Sequence, residues 1–521
     1  MKAALVLAAA AACGSPQGDP AAPDAPADAA SAADAAADAG TDPQAIARWH
    51  DRADAALEAL LVTTWLPGSA YLSADLPSSA TLTGYWTFAQ ALDAVLDGAE
   101  RTRGARFAGW IEALYLAQDA RGWSRDFYDD ENWMTLALVR AYDLRGDAKY
   151  LDRAKSLYAD IEAAWDTTCC GAHPGGIWWD RPHTQKATAS NAGPVIAGVR
   201  LAARTGDAHY LAFAEQVYAY WLANMVDPTT HAVTDHVTSA GALVRYRFTY
   251  NEGLVIGAAV ELYGATHDAK YLADAHAVAS YLLAAETTPT ADGRVLFDGT
   301  NAHCNGDCQQ FKGIGYRYLA ALQAIDPRPE YAAVLAASAN AAWDLARGSG
   351  ELFAPDWAGP TVATTSIDAQ SSAAMAIATY ASSLGADPIT ASATTYEAED
   401  GVVHAIGLER SHAGFGGWAY LAGWQGDGQW VDFHVHVAAA GTYKVALHYA
   451  AAAGDASRLI YANGANVVDN FALPSTGSWD VWATATALVP LPAGDSTLSI
   501  IYNSSLGSTR YVNLDAITVS P

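Results

Sequence analysis

Asp147-Ala148-Lys149-Tyr150-Leu151 returns as Asp207-Ala208-His209-Tyr210-Leu211 and again as Asp268-Ala269-Lys270-Tyr271-Leu272, at intervals of 60 and 61 residues. A fainter fourth copy, Pro329-Glu330-Tyr331, follows at the same interval. Each copy lies between two apolar patterns of helical period. Asp after Gly146, Gly206 or His267 reads as a helix stop followed by an N-cap, and Tyr-Leu then opens the next apolar face. The repeating unit is therefore a helical hairpin. Hairpins of this kind bury their faces only by stacking on neighbours, and about six of them fill residues 44–386. Closed in a ring they make an all-α (α/α)6 barrel with inner helices around a cleft; an open solenoid is the structural alternative.

Just before the first copy stands Gly122–Tyr142, GWSRDFYDDENWMTLALVRAY. Trp133, Leu136, Ala137 and Val139 recur at helical spacing, and the acids Asp129, Asp130 and Glu131 suit the positive end of a helix dipole, so a helix starts here. Two adjacent carboxyls at a helix mouth have two readings. They cap the helix, or they form the acid and nucleophile of glycoside hydrolysis. Trp123, Phe127, Tyr128 and Trp133 crowd them, and a sugar cleft needs such faces where a cap does not. Further aromatic segments fall before or between helices, at the end of the ring that receives the pair: Gly175–Asp180 with Trp178 and Trp179, Phe248–Gly253 with Tyr250, and Phe311-Lys312-Gly313.

At 521 residues the chain exceeds one ordinary core, and 51% hydrophobic content indicates folded domains. A net charge of −27 repels phosphate backbones, so nucleic acid is not an expected partner. Met1-Lys2 and an apolar run to Ala12 read as a short export signal (1–12). Ala10-Ala11-Ala12-Cys13 is similar to a bacterial lipobox without its usual Leu, so the protein is expected to be secreted or held at the cell surface by a lipid on Cys13. Residues 13–43, rich in Ala, Pro and Asp, form a flexible tether.

GYWTFAQALDAV, YDDENWMTLALVRAYDLRGDAKYL, GGIWWD, KATASNAG, FTYNEGLVIGAAVELYGATHDAKYL and FKGIGYRYLAAL, in this order, resemble glycoside hydrolase family 76, the endo-α-1,6-mannanases, over roughly residues 50–385. The resemblance implies an (α/α)6 barrel and a retaining mechanism with Asp129 as nucleophile and Asp130 as acid/base. It also implies substrate contacts from Trp133, Trp178, Trp179, Asn191, Tyr250, Asn251, Glu252, Phe311 and Lys312, and no catalytic cofactor. The family pattern has Lys-Asn-Ala-Ile-Ser-Asn where this chain has Lys186-Ala187-Thr188-Ala189-Ser190-Asn191. Each segment also has a plain structural reading: Trp178 and Trp179 as core, Tyr250-Asn251-Glu252 as a helix cap, Lys312 as a solvated cation. A helix N-terminus lowers carboxyl pKa values, whereas a general acid needs a raised one; one ionised partner keeping the proton on the other resolves this.

Export favours disulfides. Cys304 and Cys308 close a five-residue loop, while Cys169 and Cys170 allow a vicinal bond, a cross-link to the later pair or two free thiols. After Tyr380 the helical period stops, and residues 387–394 read as a linker. Val431, Phe433, Val435 and Val437 then alternate with polar residues, as do Tyr443, Val445, Leu447 and Tyr449, which predicts a jelly-roll-like β-sandwich over 395–521. Tyr396–Asp400, Ser478–Trp482 and Val512–Ile517 resemble carbohydrate-binding modules of families 6 and 35. That resemblance implies a structural calcium on Glu397, Glu399 and Asp515 and ligand contacts from Trp479, Trp482 and Asn513.

The expectation is an exported, monomeric, retaining endo-α-1,6-mannanase of yeast-type mannan with an appended sugar-binding module. A mannan transglycosylase on the same pair and a non-catalytic surface glycan-binding protein are the alternatives.

Overall fold

The computed structural model describes residues 42–521 except 67, 105, 299–305, 360–364, 386–393 and 418. The expected signal, Cys13, most of the tether, Cys304 and residues 387–393 of the linker lie outside the described residues. Helix α1 starts at Pro43, one residue inside the expected tether, because Asp42 caps it through the Gln44 N–H.

Among the described residues, twelve α-helices alternate between two rings. The outer ring holds α1 (Pro43–Thr64), α3 (Ala108–Asp119), α5 (Ala148–Ala163), α7 (Ala208–Met225), α9 (Ala269–Ala285) and α11 (Pro329–Ala341). The inner ring holds α2 (Tyr85–Arg101), α4 (Tyr128–Arg145), α6 (Thr188–Thr205), α8 (Thr249–Thr266), α10 (Phe311–Ile325) and α12 (Ile367–Leu384). Each inner helix packs on the next, and α12 returns to α2, so the ring closes and the solenoid is excluded. Among the described residues no helix is long and apolar enough to cross a membrane.

The repeat motif makes these joints. Asp147, Asp207 and Asp268 cap α5, α7 and α9, each accepting the backbone N–H two residues on, at 3.0, 2.9 and 3.0 Å. The preceding residue turns left-handed, and His267 does at φ 58° what Gly146 and Gly206 do at 69° and 72°. The repeated tyrosine reaches back to the previous outer helix: Tyr150 donates to Glu112 at 2.6 Å, Tyr271 to Glu215 at 3.2 Å, and Tyr331 meets His276 at 2.8 Å.

Away from the mouth, Asp97 on α2 accepts Arg140 of α4 at 2.7 Å and Arg317 of α10 at 2.5 and 2.6 Å. Asp93, one turn earlier, also pairs with both arginines.

The second domain is a sandwich. One sheet runs β3 (Gly407–Glu409), β4 (Tyr420–Trp424), β11 (Val512–Ser520), β6 (Gly441–Ala450), β9 (Ala483–Leu491), with β1 (Thr394–Glu397) also on β11. The other runs β2 (Val402–His404), β5 (Trp430–Val437), β10 (Gly494–Ile501), β7 (Ala456–Ala462), β8 (Ala465–Leu473). The alternating residues Val431, Phe433, Val435 and Val437 point into the core between the sheets. The linker does not leave the domains apart. The Asp400 carboxyl is buried near the Phe107 N–H at the start of α3, and a Cβ on Gly109 would stand 2.3 Å from the Glu399 carbonyl. Only glycine permits that approach.

Replacing Asp97 with Ala leaves two buried arginines short of a partner, and breaking a buried pair from one side costs about 3–5 kcal/mol. Urea unfolding at neutral pH should show that loss; a change under about 1 kcal/mol would mean the clasp contributes nothing net.

Candidate active site

All six inner helices begin at one end of the ring, so their first turns converge on the cleft. Trp86 comes from α2, Asp129 and Asp130 from α4, Tyr250 from α8, Phe311 from α10 and Asp368 from α12. Phe311 lies 4.1 Å from the Tyr250 ring and 6.3 Å from that of Trp86.

The cap of α4 is Phe127, with no side-chain hydrogen bond, so neither aspartate is the N-cap. Asp129 Oδ2 accepts the Trp179 indole N–H at 2.9 Å, and Asp129 Oδ1 accepts the Asp130 N–H at 3.1 Å. Trp179 is held by its own backbone: Tyr128 N–H donates to its carbonyl at 2.8 Å, and Arg181 N–H donates to Asp126 O at 2.9 Å. The Arg181 guanidinium then joins Glu131 at 2.9 Å, Ser124 Oγ at 3.0 Å and Arg125 O at 2.7 Å. This brace fixes the loop that leads into the pair.

Both carboxyls keep a face open to the cleft and are otherwise surrounded by protein. Burial pushes both pKa values up, and it is the leading cause for each, ahead of the mutual repulsion expected from sequence. The Trp179 hydrogen bond opposes the rise at Asp129. Repulsion from Asp129 and then Asp307 reinforces it at Asp130, against Arg125. The environment thus splits the pair: Asp129 is the readier carboxylate and Asp130 the readier acid.

The remaining expected contacts divide. Trp179, Tyr250 and Phe311 lie with the pair. Trp133 is buried one turn beyond it in α4, in the core. Trp178 is also core, stacked 4.6 Å from His183 under the Lys186 ammonium, because the buried lysine needs a ring and carbonyls around it. Asn191 spends its amide on Ile177 N, Ile177 O and Ala187 O, so it pins the Gly175–Asp180 loop from behind. Asn251 donates to Asp235 at 3.1 Å. Glu252 accepts the Val233 N–H at 2.8 Å and lies beside the buried Glu286; burial raises its pKa to about 8, against the hydrogen bonds from Val233 and Glu286 that lower it. Its side chain is not free to meet a sugar. Lys312 is neither solvated nor a partner of Asp129 and Asp130: it is buried on Asp298 at 3.3 Å, whose other oxygen holds the start of α8 through Thr249.

Three cleft acids carried no sequence signal. Asp235 accepts Tyr250 OH at 2.9 Å, Asp307 accepts the Trp86 indole at 3.1 Å, and Asp368 is raised to about 7 by burial.

In the sandwich Trp482 donates to Ala413 O at 2.8 Å with its ring 5.3 Å from Tyr420, and Trp479 lies half-exposed beside His412. Asn513 is buried on β11. Glu399 is on a 3-10 turn rather than a strand, since β1 ends at Glu397. The turn still brings the acids together. A Cβ on Gly417 would lie 2.3 Å from Glu399 Oε1 and 3.2 Å from Glu397 Oε2, and one on Gly416 3.5 Å from Asp515 Oδ2. Oε2 of Glu397 is buried without a hydrogen-bond partner, which fits a hard cation, although among the described residues no three such side chains are grouped to grip an ion. Of the cysteine readings, the vicinal one is found: Cys169 is bonded to Cys170.

Residues 41–392 match glycosyl hydrolase family 76, and residues 392–521 match carbohydrate binding module family 6. The α-1,6-mannanase from Salegentibacter sp. HEL1_6 is 26% identical with a TM-score of 0.60, over 65% of this chain and all of that one. An inactive variant of that enzyme, changed at two consecutive aspartates, was solved with α-1,6-mannotriose (25% identity, TM-score 0.59, 65% of this chain and 100% of that one). Mannan endo-1,6-alpha-mannosidase from Saccharomyces cerevisiae is 28% identical over 221 residues, 38% of this chain and 47% of that protein. Isomaltosyltransferase from Sporosarcina globispora is 43% identical over 126 residues, 24% of this chain and 11% of that protein. The chain therefore spans about half or less of the length of these last two relatives. It belongs to glycosyl hydrolase family 76 and is a glycoside hydrolase with a family 6 carbohydrate-binding module.

Proposed function

We propose that the protein is an exported, retaining endo-α-1,6-mannanase in which Asp129 is the nucleophile and Asp130 the acid/base. The observation that carries this is the split environment of two neighbouring carboxyls, one hydrogen-bonded by Trp179 and the other left to burial and repulsion. Asp129-Asp130 is also the one place in the chain where two aspartates adjoin, as they do in the inactivated variant of the Salegentibacter enzyme. Asp129 attacks the anomeric carbon while Asp130 protonates the departing glycosidic oxygen; Asp130 then takes a proton from water as it displaces Asp129. Tyr250, Phe311 and Trp86 supply apolar faces for the rings. A sugar alcohol in place of water would give transglycosylation on the same intermediate, and longer products at high substrate would reveal it.

Asp129→Asn should abolish turnover on every substrate while remaining folded. Asp130→Asn should retain the first step on an aryl mannoside, whose leaving group needs little protonation, with azide restoring the second. Folded and fully active Asn variants would overturn the assignment.

Activity is lost as pH falls and Asp129 takes up a proton, and lost again as pH rises and Asp130 gives one up. Because both pKa values are raised, the bell lies above the usual carboxylate range. Trp179→Phe removes a hydrogen bond that favours ionised Asp129, so the acidic limb of kcat/KM should move up by about one to two pH units, as for a bond to a charged group. An unmoved acidic limb would contradict the roles.

The sandwich is proposed to hold the enzyme on insoluble mannan, with Trp479, Trp482 and Asn513 as contacts, and to take calcium on Glu397, Glu399 and Asp515. Calcium there would neutralise carboxyls whose burial and mutual repulsion raise Glu397 to about 7. EDTA should lower the Tm of the full chain and leave Glu397→Ala unaffected; an equal shift in both would remove the site.

A further inference from the structure

Between barrel and sandwich lies a cavity of about 150 Å³, lined on one side by Arg103, Gly104 and Arg145 and on the other by Tyr396, His434 and His436. Arg145, the last residue of α4, has its Nη1 buried with no hydrogen-bond partner. The acids nearest to it are committed elsewhere. Glu112 holds Lys149 at 2.7 Å and Tyr150 at 2.6 Å; Asp432 holds His404 at 3.0 Å and Trp430 at 3.1 Å; Asp147 caps α5. Asp495, on the cavity wall, is taken by His436 at 2.6 Å. Burial lowers the pKa of Arg145 in spite of these acids, and burial and then Arg145 lower that of His434. In a chain with 56 acids and 29 bases, a buried guanidinium nitrogen with no acceptor is an unexpected cost.

Helix carbonyls at the end of α4 favour a cation there, which accounts for an arginine in the last turn but not for its unbonded nitrogen. We propose that this interdomain cavity binds a small oxyanion of the phosphate type, held by the Arg145 guanidinium from the barrel and by Arg103 and His434 at its rim. The volume has room for a tetrahedral anion together with water. Guanidinium is the side chain best matched to such an anion. An anion bridging Arg145 to His434 would tie the sandwich to the helix that carries Asp129 and Asp130.

Isothermal titration of the full chain with inorganic phosphate, at ionic strength matched by sodium chloride, tests this. Phosphate should bind and raise Tm where chloride does not, and Arg145→Gln should weaken binding roughly tenfold or more, the loss of one charge-assisted hydrogen bond. His434→Ala, on the other domain, guards against Arg145→Gln failing to fold and should also weaken binding. A parallel titration with mannose 6-phosphate separates the sources: tighter binding than inorganic phosphate points to phosphate carried on a glycan, weaker binding to the free ion. If phosphate does no more than chloride, or both variants bind as tightly as the wild type, the guanidinium is served by water and the site does not exist.

Discussion

A helix that is buried on every side cannot sit at an open edge, and the inner helices are of this kind. In α8 every residue from Thr249 to Val260 is buried, and α4 is continuously buried from Glu131 to Val139. Such helices need neighbours on both flanks and an outer layer behind them. A closed ring supplies these for every member, whereas a solenoid would leave its terminal helices bare. The repeated caps, the backward-reaching tyrosines and the Asp97–Arg140–Arg317 clasp serve that closure.

Closure also makes the site. Because outer and inner helices alternate, the inner ones run in one direction and deliver their N-termini to one mouth. Six positive helix ends there would hold carboxyls ionised. Burial prevails, and it prevails unequally: Trp179 returns part of the loss to Asp129, and Asp130 receives no such donor. The environments of Asp129 and Asp130 are separated by the indole hydrogen bond and by the Asp130 N–H on Asp129, which is why the brace from Arg181 to Glu131 matters beyond its own stability.

What could be read from sequence was what short spacing encodes. Asp147-Ala-Lys-Tyr150 declares a cap and an apolar face within four residues, so hairpins and ring were legible, as was a carboxyl pair in the first turn of a helix. Long-range pairings were not. Nothing near Lys312 announces Asp298, nothing near Glu252 announces Glu286, and Asn191 looks like a cleft residue until its amide is found on Ile177. The docking of Asp400 and Gly109 was equally hidden, since a linker's polarity says nothing about the surfaces on either side of it. Asp235 and Asp307 escaped because a lone Asp outside a periodic segment has no spacing to betray it.

The account rests on a covalent mannosyl ester at Asp129. A 2-deoxy-2-fluoro mannosyl donor with a good leaving group slows breakdown of such an ester, and mass spectrometry of the digested enzyme locates it. The expected result is one added sugar on the peptide that carries Asp129, with a product of retained α configuration from unmodified substrate. A label on Asp130 would reverse the roles, and no label together with a β-configured product would contradict the double displacement altogether.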